Sequence, residues 1–301
     1  MKKICFIAIT ALLLFTACSN HEEEINIAEG KDLIQLSSNI DDGGLGTRAN
    51  LSDAETQNTQ FASAMGINVE IYKTGASSSY TSGTYTANGS GGLTGYCYYP
   101  ADGSNIDICA YYPKIVSSST TSFNVGTSQT SAANYQDYDL MYAIKLTNKA
   151  KGSTHELSFR HALAKIVVNL SAGNGVSDSD LTSYVTAVKL KSLKPTATFS
   201  ISGGAVGSIT ATGTAADVSI KGSTVTSSHN AIIVPQAKSG AFIEVTYNGN
   251  TYTYSLPSST TFSPGYVYTY NISVNSAGIS LSTTSITGWT STTAVSSSIT
   301  L

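Results

Sequence analysis

The 301-residue chain is 12% charged with a formal net charge of −3, and it carries 18 tyrosines and 26 glycines against a background of Ser and Thr. Residues 1–48 hold four Lys/Arg and seven Asp/Glu of the totals of 16 and 19, so residues 49–301 keep twelve of each and are neutral. A neutral body with no Lys/Arg cluster argues against a nucleic-acid partner, which needs a concentrated basic footprint; the lack of Leu, Glu, Ala and Lys at helical spacing predicts an all-β exported chain long enough for two domains.

Met1-Lys2-Lys3 and the apolar run 4–15 form the charged and hydrophobic regions of a signal peptide over residues 1–17, too short for a permanent membrane span. Phe15-Thr16-Ala17-Cys18 places small residues before a cysteine and resembles a bacterial lipoprotein box, with lipid expected on Cys18 and outer-membrane attachment through it. The alternative is a plain secretory signal beside an incidental cysteine. Glu22-Glu23-Glu24 then reads as a solvated tether, which serves either as a surface-export signal or as a spacer.

Residues 33–40 have strand composition, with Ile34, Leu36, Ser38 and Ile40 on one face. The glycine-rich loop that follows ends at Thr47-Arg48-Ala49. The chain has one other arginine, Arg160, inside a strand pattern, so an arginine-specific protease is expected to cut at Arg48 and leave Ala49 as the new terminus. Residues 18–48 thus form a lipidated leader with a removable strand.

From Phe61 the chain alternates in short bursts, with Ile67, Val69 and Ile71 sharing a face. Folding residues 95–113 as a hairpin about Gly103 sets Cys97 opposite Cys109, a candidate disulfide whose alternative is two buried thiols. In the run 157–170 the apolar residues shift from odd positions, ending at Leu163, to even positions from Ile166, which predicts a bulge or a strand passing between sheets. The domain boundary is expected at 148–155, giving bodies of 49–152 and 153–301. Asn248-Gly249 predicts a tight hairpin with Val245 opposite Tyr252 and Ile243 opposite Tyr254. Residues 279–301 supply the last one or two strands, with Val295, Ser297, Ile299 and Leu301 on one face.

A catalytic or metal constellation is not visible. The four histidines lack zinc spacing, no Gly-x-Ser-x-Gly elbow occurs, and no cofactor motif is present. His161 shares a face with Phe159 and Leu163 and reads as structural. Asp137/Asp139 and Asp178/Asp180 lack the loop of a calcium site and read as turn or N-cap residues. The tyrosine clusters leave a glycan-binding surface as an alternative to half-buried sheet aromatics.

Several motifs together resemble the fimbrillin, or type V pilin, family of Mfa-like surface lipoproteins. They are the box at Cys18, the leader end at Arg48, Ala110-Tyr111-Tyr112-Pro113, Phe159-Arg160-His161-Ala162-Leu163-Ala164-Lys165, Val234-Pro235-Gln236, Gly265-Tyr266-Val267-Tyr268, and Ile286-Thr287-Gly288-Trp289. The resemblance implies two tandem transthyretin-like antiparallel β-sandwich domains and a non-enzymatic subunit of a cell-surface fimbrium. It further implies leader cleavage and assembly with other subunits by strand exchange. The leaving strand would carry Ile34, Leu36 and Ile40, and the donor strand Val295, Ile299 and Leu301. The alternatives are a tail that closes its own domain and a surface lipoprotein that binds glycans without polymerising.

Overall fold

The computed structural model describes residues 32–41, 60–131, 137–222 and 228–289. Cys18, Arg48, Ala49, Val295, Ile299 and Leu301 lie outside them. The described chain is all-β apart from one seven-residue helix, as its composition predicts.

In the first half the strands are β1 (Leu36–Ile40), β2 (Gly66–Lys73), β3 (Thr81–Ala87), β4 (Gly92–Thr94), β5 (Ile106–Tyr112), β6 (Ser122–Asn124), β7 (Met141–Ala143), β8 (Leu146–Lys149) and β9 (His155–His161). All but β6 belong to one eight-stranded sheet in the order β2-β3-β4-β1-β9-β7-β5-β8, and β2 also pairs with β5. Seven of the strands therefore pair around a closed ring, with β8 attached outside it through β5. A closed ring has no free edge, which removes the templating hazard of an open sheet.

The second half continues with β10 (Ala164–Ala172), α1 (Asp178–Tyr184), β11 (Val185–Leu193), β12 (Thr196–Thr198), β13 (Ile201–Ser202), β14 (Ala205–Val206), β15 (Thr210–Thr212), β16 (Ala216–Ser219), β17 (His229–Ile233), β18 (Gln236–Tyr247), β19 (Asn250–Phe262), β20 (Tyr266–Asn275) and β21 (Gly278–Gly288). Two four-stranded sheets, β17-β10-β20-β21 and β16-β11-β18-β19, carry most of it. The β18–β19 hairpin turns at Asn248-Gly249 in the predicted register, with Val245 opposite Tyr252 and Ile243 opposite Tyr254. The helix starts at a capping box in which Ser177 Oγ accepts from Asp180 N and the Asp180 carboxylate accepts from Ser177 N, so the Asp178/Asp180 pair serves an N-terminus.

Burial falls into three clusters. One fills the ring, with Ile34, Leu36, Ile40, Phe61, Ile67, Tyr85, Ile108 and Phe159 among its members. A second lies in the later half around Ile166, Leu190, Phe242, Phe262 and Tyr270. The third joins them, because several strands are buried on both faces. In β5, Ile106, Ile108, Ala110 and Tyr112 face the ring while Cys109 and Tyr111 face the middle cluster. In β10, Ile166 and Val168 face the second cluster while Val167 faces the middle one, and Ile232 of β17 and Val267 of β20 meet it there. Strands covered on two sides are buried along their whole length, as β5 and β17 are.

The parity change in 157–170 is a passage between sheets. Leu157 and Phe159 point into the ring, Leu163 into the middle cluster, and Ile166 and Val168 into the second. The handover falls at Ala162 and Leu163, between β9 and β10. β9, which the sequence placed after the boundary, is a strand of the first sheet. The halves are also stitched by β6, which pairs with β12, and by Gln129, whose amide exchanges two hydrogen bonds with the Ile232 backbone at 2.8 Å.

Candidate functional site

The site is the seam in the ring occupied by residues 32–41. Alternate residues Ile34, Leu36, Ser38 and Ile40 are each 1–3% exposed, so the period-two reading of the sequence identifies the inward face. On one side β1 runs parallel to β9, with Leu36 paired to His155 and Ile40 to Phe159. On the other it runs antiparallel to β4, with Leu36 opposite Leu93 and Ser37 opposite Gly92. Among the described residues β4 and β9 have no pairing with each other, so β1 alone closes the ring between them.

Backbone bonds extend this grip past the strand ends. Ile34 N donates to Cys97 O at 2.9 Å, Tyr99 N to Asp32 O at 2.9 Å, Ser38 N to Gly91 O at 2.7 Å and Asp41 N to Phe159 O at 2.8 Å. From inside the ring the buried Tyr85 hydroxyl donates to Ile34 O at 3.0 Å. Burial, and then the nearby Cys97 thiol, push the Tyr85 pKa well above its ordinary value, so the hydroxyl stays a donor. The Tyr85 ring lies flat against the backbone at Gly95, where a Cβ would come within 2.5 Å of it. At the rim, Asn39 Nδ2 donates to Glu156 Oε1 at 3.0 Å and Lys151 pairs with Asp32 at 2.9 Å; both groups are exposed and contribute little. A cleft of about 290 Å³ opens beside the start of the strand, between Leu33, Gln35, Leu36, Asn88, Leu93 and Thr154.

Of the two alternatives for Cys97 and Cys109, the structure has the two buried thiols and not the disulfide. β5 pairs with β2 and sets Cys109 opposite Glu70, while Cys97 lies beside residues 32–34, so residues 95–113 are not a hairpin about Gly103. Both thiols are free and buried. Cys97 belongs to the ring cluster and Cys109 to the middle one, on the opposite face of β5. Burial raises both thiol pKa values, that of Cys109 to about 11, which keeps them protonated and unreactive.

Away from the seam, His161 is a structural residue of the middle cluster. Its ring stacks on Trp289 at 4.0 Å and 7°, and its Nε2 lies 3.4 Å from the Asp139 carboxylate, both side chains being fully buried. Trp289 N donates to Gly265 O at 2.7 Å, so the end of β21 is fastened at the junction of the clusters. The sequence contained no signal for that stacking, nor for the Tyr85 bond to Ile34. Both join residues far apart in the chain. Among the described residues no group of three His, Cys, Asp or Glu side chains is placed to hold a metal ion.

Fold and seam together define an all-β protein in which the first described strand, Leu36–Ile40, completes a ring whose other strands lie within residues 66–161. A family model described as fimbrillin-like matches residues 47–289, and the chain belongs to that family. The match begins after β1, so the ring walls fall within it and the strand that closes them does not. The chain is 28% identical over 310 residues to the "Putative fimbrium subunit Fim1C" of Bacteroides uniformis, covering 96% of each chain. Its fold is that of a "putative cell adhesion protein" from Bacteroides uniformis, with a TM-score of 0.65 at 23% identity over 86% of this chain and 99% of that one. A second protein so described, from Bacteroides ovatus, gives a TM-score of 0.61 at 18% identity over 86% and 98%.

Proposed function

We propose that this chain is a non-catalytic structural subunit of a cell-surface fimbrium that joins other subunits by strand exchange and supports adhesion. In this reading it is exported as an outer-membrane lipoprotein on Cys18 and cut between Arg48 and Ala49. The leader strand then leaves the seam, and a strand from a second subunit, drawn from residues 279–301 with Val295, Ile299 and Leu301 as anchors, takes its place. Family membership and the name of the Bacteroides uniformis relative support the fimbrial role. The observation that carries the exchange step is the position of β1 as the sole pairing between β4 and β9 among the described residues.

Burying Ile34, Leu36 and Ile40 is worth roughly 5–9 kcal/mol as an upper bound, at about 1.5–3 kcal/mol per side chain. An empty seam would also strand the facing backbone groups of β4 and β9. A vacated ring therefore has a strong drive to take up another strand, the mode of recognition in which ladder bonds give affinity and alternate side chains give register. Treatment of the full chain with an arginine-specific protease tests this. Expected are a new amino terminus at Ala49 and conversion of the monomer into oligomers by light scattering. A chain that is cut there and stays monomeric under all assembly conditions would overturn it.

A further inference from the structure

Resting on the strand-exchange reading, we infer that Ser38 sets how readily the leader strand gives up the seam: at this one position the resident strand buries a hydroxyl with no partner, which weakens its hold. Of the four inward residues, Ile34, Leu36 and Ile40 are apolar and join the ring cluster. Ser38 stands between Leu36 and Ile40, 3% exposed, and its Oγ has no hydrogen-bond partner among the described residues. Its backbone is well served, with N donating to Gly91 O at 2.7 Å and Cα registered against the fully buried Leu157 of β9. The deficit is confined to the side chain.

Asn39 Oδ1, Tyr111 Oη and Arg160 Nε on ring strands also have no partner among the described residues, but Tyr85 and Tyr99 of the ring cluster do have one, as does Asp107 of β5. Tyr85 Oη reaches Ile34 O, Tyr99 Oη lies 2.6 Å from His155 Nε2, and the Asp107 carboxylate accepts from Thr74 and Asn148. A hydroxyl taken out of water without a partner opposes burial, whereas a methyl in the same place favours it. The strand cannot escape by slipping, because a shift of one residue would turn Ser37 and Asn39 inward and all three apolar anchors outward. Ile34, Leu36 and Ile40 therefore fix the register while Ser38 loosens the grip at its centre, leaving a plug that holds one position and can still be released.

Substituting Ser38→Ala in the full-length chain removes the hydroxyl and adds no volume. Ser37→Ala, on the outer face of the same strand, controls for the change in strand propensity. Expected is a higher thermal midpoint for uncleaved S38A than for both wild type and S37A. After arginine-specific cleavage, the leader fragment of S38A should leave about tenfold more slowly. As a second measurement, a synthetic peptide of residues 32–41 with Ala at position 38 should bind the cleaved protein about tenfold tighter than the same peptide with Ser. A midpoint for S38A at or below that of S37A, or equal binding of the two peptides, would overturn the inference. If S38A is stabilised but no leader fragment leaves any cleaved variant, Ser38 remains the poor fit and it is strand exchange that fails.

Discussion

Tyr85 holds β1 and its approach from inside the ring, and among the described residues its hydroxyl is the side-chain group that reaches the Ile34 carbonyl. Tyr85→Phe keeps the ring packing against Gly95 and deletes that donor, leaving a buried acceptor short of a partner. The expected cost is about 1–3 kcal/mol, read as a lower urea midpoint for the uncleaved chain. His229 makes a separate prediction for pH. It is 1% exposed, and burial, aided by Lys221, lowers its pKa to about 4. Its Nδ1 accepts from Gly222 N at 3.3 Å, so the folded chain holds the neutral ring. Between pH 4 and the ordinary value near 6.5 the unfolded chain binds the extra proton. Stability is therefore complete above about 6.5 and falls as pH drops toward 4, by up to roughly 3 kcal/mol. His229→Asn should flatten the difference in thermal midpoint between pH 7 and pH 4.5 relative to wild type.

At the scale of the element, what was legible in the sequence divides by the range of the interaction. The β18–β19 hairpin was legible down to its pairs because the turn is chemically local. Asn248 and Gly249 both adopt positive φ, 49° and 74°, as the tight turn demands, and flanking parity fixes the rest. Gly249→Ala should therefore cost about 1–2 kcal/mol in thermal or chemical unfolding, though nothing lies near enough to clash with the added methyl. The inward face of β1 was legible for the same reason: period two needs no partner to be known. The partners themselves were not, since Leu36 meets His155 across the sheet and no local pattern specifies a contact at that separation. The cysteine hairpin failed on this point. Counting outward from Gly103 assumed that β5 folds back on the segment before it. Because β5 is buried on both faces, it is drawn to β2 and turns Cys109 away from the ring. Similarly, the parity change showed that a handover occurs, but only the clusters locate it at Ala162 and Leu163, after β9 rather than before it.

For the whole molecule, the decisive feature is a ring in which, among the described residues, one strand of five residues is the sole connection between two others. Native domains are stable by only about 5–15 kcal/mol, which is the same order as the apolar burial that Ile34, Leu36 and Ile40 supply. Deleting residues 1–48 should therefore do more than shorten the chain. With the seam empty, β4 and β9 each present an unpaired edge, and the Ile34 bond from Tyr85 and the bond from Ser38 N to Gly91 O are lost together. Loss of protection should be graded by distance from the seam. Backbone amides of residues 92–94 and 155–159 should exchange with deuterium much faster than in the full chain, while those of β10, β18 and β20, which build the second cluster, change little. Because the exposed edges can pair with any compatible strand, the truncated chain should also associate as its concentration rises, and addition of a peptide spanning residues 32–41 should restore protection and suppress that association. Uniform protection across the first sheet in a truncated chain that stays monomeric would mean that β4 and β9 close on each other, and that β1 is a cover for the ring and not a part of it.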